Sequence, residues 1–240
     1  MATLDLESVS RRFGGLKAVD NVDFSLNEGE IVGIIGPNGA GKTTLINLIS
    51  GITPVSSGTI AFEGEDITDM GPHGRAQLGI GRTYQLIHPV EHLTVEENVM
   101  VGFVFAQGMN MKQAREASKQ LCAAMGIEKP GRIVSQLNIL EVKKMEIAHA
   151  LSTGPKILFL DEIMAGLNAD ETHQVIALVQ KIASERSLGV GVVEHVMGVI
   201  KKLTHRVIVL ESGAIIASGE YEDVVKNPQV LEAYLGGGAH

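Results

Sequence analysis

The octapeptide Gly36-Pro37-Asn38-Gly39-Ala40-Gly41-Lys42-Thr43 fits the pattern G-x-x-x-x-G-K-[ST] and carries the clearest chemistry in the sequence. Its glycines let successive backbone N–H groups turn into one concavity and let oxyanions approach closely. An apolar run, Ile31 to Ile35, precedes it and a helical pattern, Thr44 to Ser50, follows. The loop therefore leads from a strand into a helix N-terminus, whose positive dipole end adds to the cradle. A glycine-rich turn matching by accident would lack that context. The expected ligand is a nucleotide polyphosphate, contacted by Asn38, Gly39, Ala40, Gly41, Lys42, Thr43 and Thr44. Lys42 would neutralise the β- and γ-phosphates, and the Thr43 hydroxyl would coordinate Mg²⁺.

Asp161-Glu162 ends a second apolar run, Ile157 to Leu160. A carboxylate leaving the C-terminal end of a neighbouring parallel strand reaches the metal, because ligands gather at that edge of an open α/β sheet. Asp161 would then hold Mg²⁺ through water, and Glu162 would polarise the attacking water as general base. The competing reading is an acid pair that caps the next helix.

Both motifs need a parallel sheet covered by helices, and the sequence has the pattern for one. Val190 to Val193 and Val207 to Leu210 bring the short, Ile- and Val-rich runs to four, with helical patterns between them. Val207 to Leu210, Glu211-Ser212-Gly213 and Ala214 to Ala217 read as a hairpin. Residues 3–28 and 57–68 read as an antiparallel β section. From about His88 to Leu151 no strong strand appears. Thr94 and Glu97 make a capping box there, Ala114, Ala117, Leu121 and Ala124 share one helix face, and Leu140, Ile147 and Leu151 share another. The expected fold is α/β, with a mainly parallel core sheet, an antiparallel β section and an inserted helical lobe. The expected division is one domain over 1–240: a core and β lobe at 1–87 and 152–235, a helical lobe at 88–151, and a flexible tail at 236–240.

Composition narrows the setting. With 240 residues, 45% of them apolar, the chain can build a substantial core. A formal net charge of −8 gives no electrostatic reason to expect nucleic acid or anionic lipid as a partner. The longest stretch without a charge, Thr43 to Phe62, is broken by Gly51, Pro54, Ser56, Ser57 and Gly58, so no segment reads as a bilayer span. The N-terminus lacks a basic region followed by an apolar one, and nothing in it marks the chain for export. Cys122 is the only cysteine, which excludes an internal disulfide framework and fits a reducing cytoplasm.

Over nearly its whole length the sequence resembles the ATP-binding cassette (ABC) ATPases, a branch of the P-loop NTPases. Gln85, in Arg82-Thr83-Tyr84-Gln85, sits where that family has the glutamine that joins the two lobes and touches Mg²⁺ and the water. His195, after Val190 to Val193, matches the switch histidine that contacts the γ-phosphate. Phe13 matches the aromatic that stacks on adenine. Taken singly, a His at a strand end or a lone Phe is more often structural. Their order around the phosphate loop carries the resemblance. It implies ATP and Mg²⁺ as the bound species, Glu162, His195 and Gln85 as the catalytic set, and Thr43, Gln85 and Asp161 at the metal. A phosphate-loop kinase or GTPase would leave Gln85, Glu162 and His195 without a joint explanation. Within the family, FGGLKAVDNVDFSL, GIGRTYQ, LTVEENV, Ala165 to Asn168, VVEHVM and PQVLEAYLG look like the ATPase subunits of branched-chain (hydrophobic) amino acid importers.

One segment departs from the family. Aligned on Glu146 to Leu151, the signature LSGGQ falls on Leu137-Asn138-Ile139-Leu140-Glu141, where only the leading leucine is retained. In the family this segment closes over the ATP held by the other subunit, its serine and glycines binding the γ-phosphate. Ile139 and Leu140 bring bulk there, and Glu141 adds a negative charge. Asn138 can cap the helix or offer its amide N–H₂ to a phosphate, and Glu141 suits a capping acid. Asn168 stands where many cassettes carry an aspartate.

The resemblance further implies a peripheral protein at the cytoplasmic face of the inner (cell) membrane. Its partners would be transmembrane permease subunits, a second ABC ATPase subunit and, indirectly, a solute-binding protein, with no nucleic acid. A homodimer would have two poor sites. A heterodimer with a consensus cassette would have one good site, and is favoured. Two other functions stand beside the importer ATPase: a regulatory nucleotide-binding subunit with little hydrolysis, and a soluble non-transport ABC protein. Residues around Gln85 to Asn98 are the expected docking surface for the membrane subunits, with Leu86, Ile87 and Val90 exposed.

Overall fold

The computed structural model describes residues 3–83 and 90–236. The chain opens with an antiparallel pair, β1 (Leu4–Phe13) and β2 (Leu16–Leu26), then runs through β3 (Ile31–Ile35) into α1 (Lys42–Ile49). β4 (Ser57–Phe62) and β5 (Glu65–Asp66) follow, then α2 (Pro72–Leu78) and β6 (Ile80–Arg82). Three helices come next: α3 (Val95–Phe105), α4 (Met111–Ala124) and α5 (Ile139–Ser152). The chain returns through β7 (Ile157–Asp161), α6 (Ala169–Arg186), β8 (Gly189–Val193) and α7 (Met197–Leu203). It closes with β9 (Arg206–Glu211), β10 (Ala214–Gly219), α8 (Tyr221–Val224) and α9 (Pro228–Gly236).

Two sheets result. One has the order β2-β1-β4-β5 and is antiparallel; the other has the order β10-β9-β3-β8-β7-β6 and is parallel except for β10. The central strands β3, β7 and β8 are almost wholly apolar because they are buried on both faces. In β3, Ile31 and Ile35 enter one hydrophobic core while Val32 and Ile34 enter the other. β7 divides in the same way, Leu158 and Leu160 against Ile157 and Phe159. The first core also takes in α3 to α7, and the second lies between the larger sheet, α1 and the antiparallel sheet.

The four apolar runs, the antiparallel section and the final hairpin are all present. Ser212 (φ 49°) and Gly213 (φ 85°) make that hairpin's two-residue turn, both central residues left-handed. The sequence reading missed β6 and α2, which are too short to show a period. It also placed Ala124 on the buried face of α4. Ala124 is exposed, and the face instead runs through Ala114, Ser118, Leu121 and Cys122. Ser118 disguised it: a hydroxyl reads as surface, yet this one is fully buried. The helix α9 extends to Gly236, so the first residue of the expected tail is helical and the remainder lies outside the described residues. Among the described residues, no helix is long and apolar enough to cross a membrane.

Arg75 fixes the far end of α1. Its guanidinium, 1% exposed, donates to the carbonyls of Leu48, Ile49, Ile67, Thr68 and Met70. A buried cation is tolerated here because five oxygens replace its water and two of them, those of Leu48 and Ile49, lie at the negative end of a helix. Burial still lowers its pKa. The helix that starts at the phosphate loop is thus anchored at its other end to β5 and α2.

Candidate active site

Register brings the candidate residues to one edge. Ile34 of β3 pairs with Val193 of β8, and Val193 pairs with Asp161 of β7. The residues that follow, Gly36 on β3, Glu194 and His195 on β8, and Glu162 on β7, therefore leave the sheet at one level.

At the loop, Gly41 is the N-cap of α1 with φ 106°, and a Cβ there would stand 2.4 Å from the Ala18 carbonyl oxygen. Only glycine can occupy it. Lys42 is 7% exposed, and its Nζ donates to the Gly36 and Pro37 carbonyls at 2.8 and 3.0 Å. Burial pushes its pKa down, opposed by the nearby charges of Glu162 and Asp161. Thr43 is exposed at the start of the helix. A cleft of about 750 Å³ is lined by Asn38 to Thr44, by Phe13, Leu16, Lys17 and Ala18 on one side, and by Glu162, His195 and Ser212 on the other. Phe13, 47% exposed, carries the Arg11 guanidinium 4.6 Å over its ring, so the side chain is oriented by a cation–π contact.

Asp161 lies beneath this cleft at 3% exposure. Burial raises its pKa and Arg82 opposes the rise, with Arg82 Nη2 standing 3.8 Å from Oδ2. That Oδ2 has no hydrogen-bond partner, a costly state for a buried carboxylate oxygen and the expected one for a group that faces a cation. Among the described residues, no cluster of three or more His, Cys, Asp or Glu could hold a metal alone. Mg²⁺ does not need such a cluster, since it takes one or two carboxylates and shares the substrate's phosphate oxygens. Thr43 and Asp161 fit it on those terms.

Glu162 has a left-handed backbone, φ 51°, and its N–H donates to the Val193 carbonyl. Its Oε1 is 2.7 Å from His195 Nε2. Outside glycine this conformation is uncommon, and here it aims the carboxylate at the histidine. Gln85 lies outside the described residues, as do Leu86 and Ile87. Val90 is exposed, as expected of a docking surface. Asn98 is not: its side chain is buried and bonds to Val90 and Thr94, tying down the start of α3.

The segment Leu137 to Glu141 does not reach this cleft. Asn138 is the N-cap of α5, accepting from Glu141 N at 2.9 Å while Glu141 accepts from Asn138 N. Glu141 also pairs with Arg132. Leu137 and Leu140 pack against the core, and Ile139, 44% exposed, extends its Cδ1 to Gly166, where a Cβ would be 2.5 Å away. The Asn138 oxygen and the Glu141 carboxylate are thus occupied within the helix cap, and Ile139 leans on the chain's own segment after β7.

Residues that carried little signal in the sequence brace the elements around the candidate site. Arg82 Nη1 donates to Asn47 Oδ1 at 2.6 Å, linking β6 to α1. Thr83 Oγ1 accepts from Asp161 N. Glu194 Oε1 accepts from Met164 N at 2.9 Å. The available signal for Glu194 was an acid directly after a buried strand and before a candidate switch histidine.

A family model described as ABC transporter matches residues 19–165, and one described as branched-chain amino acid ATP-binding cassette transporter matches residues 214–240. A probable branched-chain amino acid transport ATP-binding protein LivG of Archaeoglobus fulgidus is 33% identical over 98% of this chain and 96% of its own. The high-affinity branched-chain amino acid transport ATP-binding protein BraF of Pseudomonas aeruginosa is 34% identical, covering 97% of each. The lipopolysaccharide export system ATP-binding protein LptB of Haemophilus influenzae is 33% identical over 98% of each. Among solved structures, the ADP conformation of an ATP-binding cassette of an ABC transporter superposes with a TM-score of 0.88 at 30% identity, covering 98% of this chain and 99% of that one.

Proposed function

The chain belongs to the ABC transporter family of ATP-binding cassettes, and from that premise we propose that it is the ATP-hydrolysing subunit of an importer for branched-chain or related amino acids. The observation that carries the hydrolytic reading is the convergence of Lys42, Glu162 and His195 on one cleft, with Glu162 and His195 at 2.7 Å. The solute rests on the match over 214–240 and on the LivG and BraF relatives. Identity across the cassette alone does not select it, because LptB is as similar.

In this reading the loop N–H groups and Lys42 bind the phosphates, and Phe13 receives the adenine. Thr43 and Asp161, with Gln85, hold Mg²⁺, which spreads the developing phosphate charge when bound. Glu162 takes the proton of the attacking water, and His195 both orients Glu162 and contacts the γ-phosphate. Closure onto a second cassette completes the site, and loss of the γ-phosphate removes the contacts that favour closure. The permeases dock near Val90, at the membrane's cytoplasmic face. The division of the chain is a single cassette with a helical lobe at 88–151. The second cassette is a different protein with a consensus signature, since this chain's own signature segment is committed to a helix cap and to Gly166.

The test compares the purified chain with the assembly it forms in its own cells. Alone, the chain should bind a fluorescent ATP analogue yet turn over ATP about 10²-fold slower than the assembly, the usual effect of lacking charge-stabilising donors. Membrane vesicles holding the assembly should take up labelled leucine on ATP addition. Brisk, cooperative hydrolysis by the chain alone would overturn the pairing with a second cassette. No uptake of any branched-chain amino acid would overturn the solute.

A further inference from the structure

We infer that Glu194 is a positioning residue for hydrolysis: its carboxylate cross-links the two strand-end loops that carry Glu162 and His195. The inference rests on the reading of those two residues as the hydrolytic pair.

The sheet ladder alone does not hold the pair together. Its last paired rung is Asp161 with Val193, and one further bond, Glu162 N to the Val193 carbonyl, carries it past β7. Beyond that point each loop turns away on its own. The β7 loop folds through Ala165 N to the Glu162 carbonyl, and the β8 loop enters α7 through Val199 N and Ile200 N to the Val196 carbonyl. Neither set of bonds spans the gap. Glu194 spans it: placed directly after β8 and next to His195, its Oε1 takes the Met164 N–H of the β7 loop at 2.9 Å. The carboxylate of the residue next to the histidine therefore binds the backbone of the residue two beyond the base.

A glutamate is an expensive choice for this place. Its residue is 4% exposed, and the negative charge is buried near that of Glu162. An apolar side chain would pack without that cost but would leave the N–H of buried Met164 unpaired. Fixing both loops matters because Glu162 is held at φ 51°, a backbone state that relaxes unless its surroundings specify it. If the Met164 turn loosens, the Glu162 carboxylate swings away from His195. A misplacement of about 1 Å can cost about 10²-fold in rate without touching substrate binding.

The experiment uses the intact transporter, with the isolated chain for binding. Glu194→Ala should lower kcat about 10- to 100-fold while KM for ATP and the Kd for the fluorescent analogue stay within about twofold. Glu194→Gln keeps the shape and an oxygen for Met164 N, and should recover most of that loss. The NMR signals of the His195 imidazole in the isolated chain supply a readout independent of turnover. Their chemical shifts at one fixed pH should move in the alanine variant and stay near those of the unaltered chain in the glutamine variant. Unchanged kcat in Glu194→Ala, or kcat and ATP binding falling together with Tm, would overturn the inference. Glu162→Gln run in parallel separates the two levels. If that variant still hydrolyses ATP the site reading is wrong, and if it is inactive while Glu194→Ala is normal only the role of Glu194 is wrong.

Discussion

Glu162→Gln in the assembled transporter lowers steady-state ATP hydrolysis by about 10²- to 10⁴-fold, the range for removing a positioned general base, and leaves ATP binding near its original strength. The amide keeps the size of the side chain and an oxygen for His195 Nε2, which stands 2.7 Å from Oε1, so the geometry survives. What is lost is the ability to accept a proton. Lys42, the loop amides and Phe13 are untouched, so the nucleotide still binds and still closes the clamp. A closed state retaining unhydrolysed ATP should therefore accumulate, seen as nucleotide that co-elutes with the variant on size exclusion. Full turnover by this variant would remove Glu162 from the mechanism.

Lys42→Ala acts on the other half of the chemistry and should weaken ATP binding by about 10- to 100-fold. That range corresponds to the net loss of one charge-assisted hydrogen bond at about 1.5–3 kcal/mol. The ammonium is held at the mouth of the loop by the Gly36 and Pro37 carbonyls, so it already faces the position of the phosphates. Removing it also strips those two carbonyls of their donor, so some relaxation of the loop contributes. Equilibrium binding of the fluorescent analogue to the isolated chain measures the loss. Equal affinity in the variant and the parent would mean that the phosphates sit elsewhere.

Much of this was legible before the fold was known, for physical reasons. Strands buried on both faces must be apolar throughout, so Ile31 to Ile35 and Ile157 to Leu160 announced a parallel sheet. A loop that receives polyphosphate must be rich in glycine, so Gly36 to Thr43 announced the site. Together they pointed to Glu162, because the end of a strand in a parallel sheet is a fixed place in space, whereas His195 was singled out by the family resemblance alone. The remainder depends on contacts between residues far apart in sequence, which leave no periodic trace. Arg75 reads as a surface arginine on a short helix, and only the fold shows five carbonyls around it. Glu194 reads as one more acid in an acidic chain until Met164 is brought beside it. Ser118 reads as exposed and is fully buried. The departure at Leu137 to Glu141 was visible in the sequence, but its consequence was not. That Ile139 would turn back onto Gly166 follows only from the packing of α5 against the segment after β7.

On the proposed function, this chain supplies the catalytic half of one composite site and a poor signature to the other. Placing the base substitution on one side of the transporter at a time separates the two sites. With Glu162→Gln in this chain and the second cassette intact, ATP turnover should fall to the level of the double variant. With this chain intact and the matching base of the second cassette replaced by glutamine, most of the turnover should remain. Equal losses from the two single variants, or a greater loss from the partner's, would mean that this chain does not hold the dominant catalytic half.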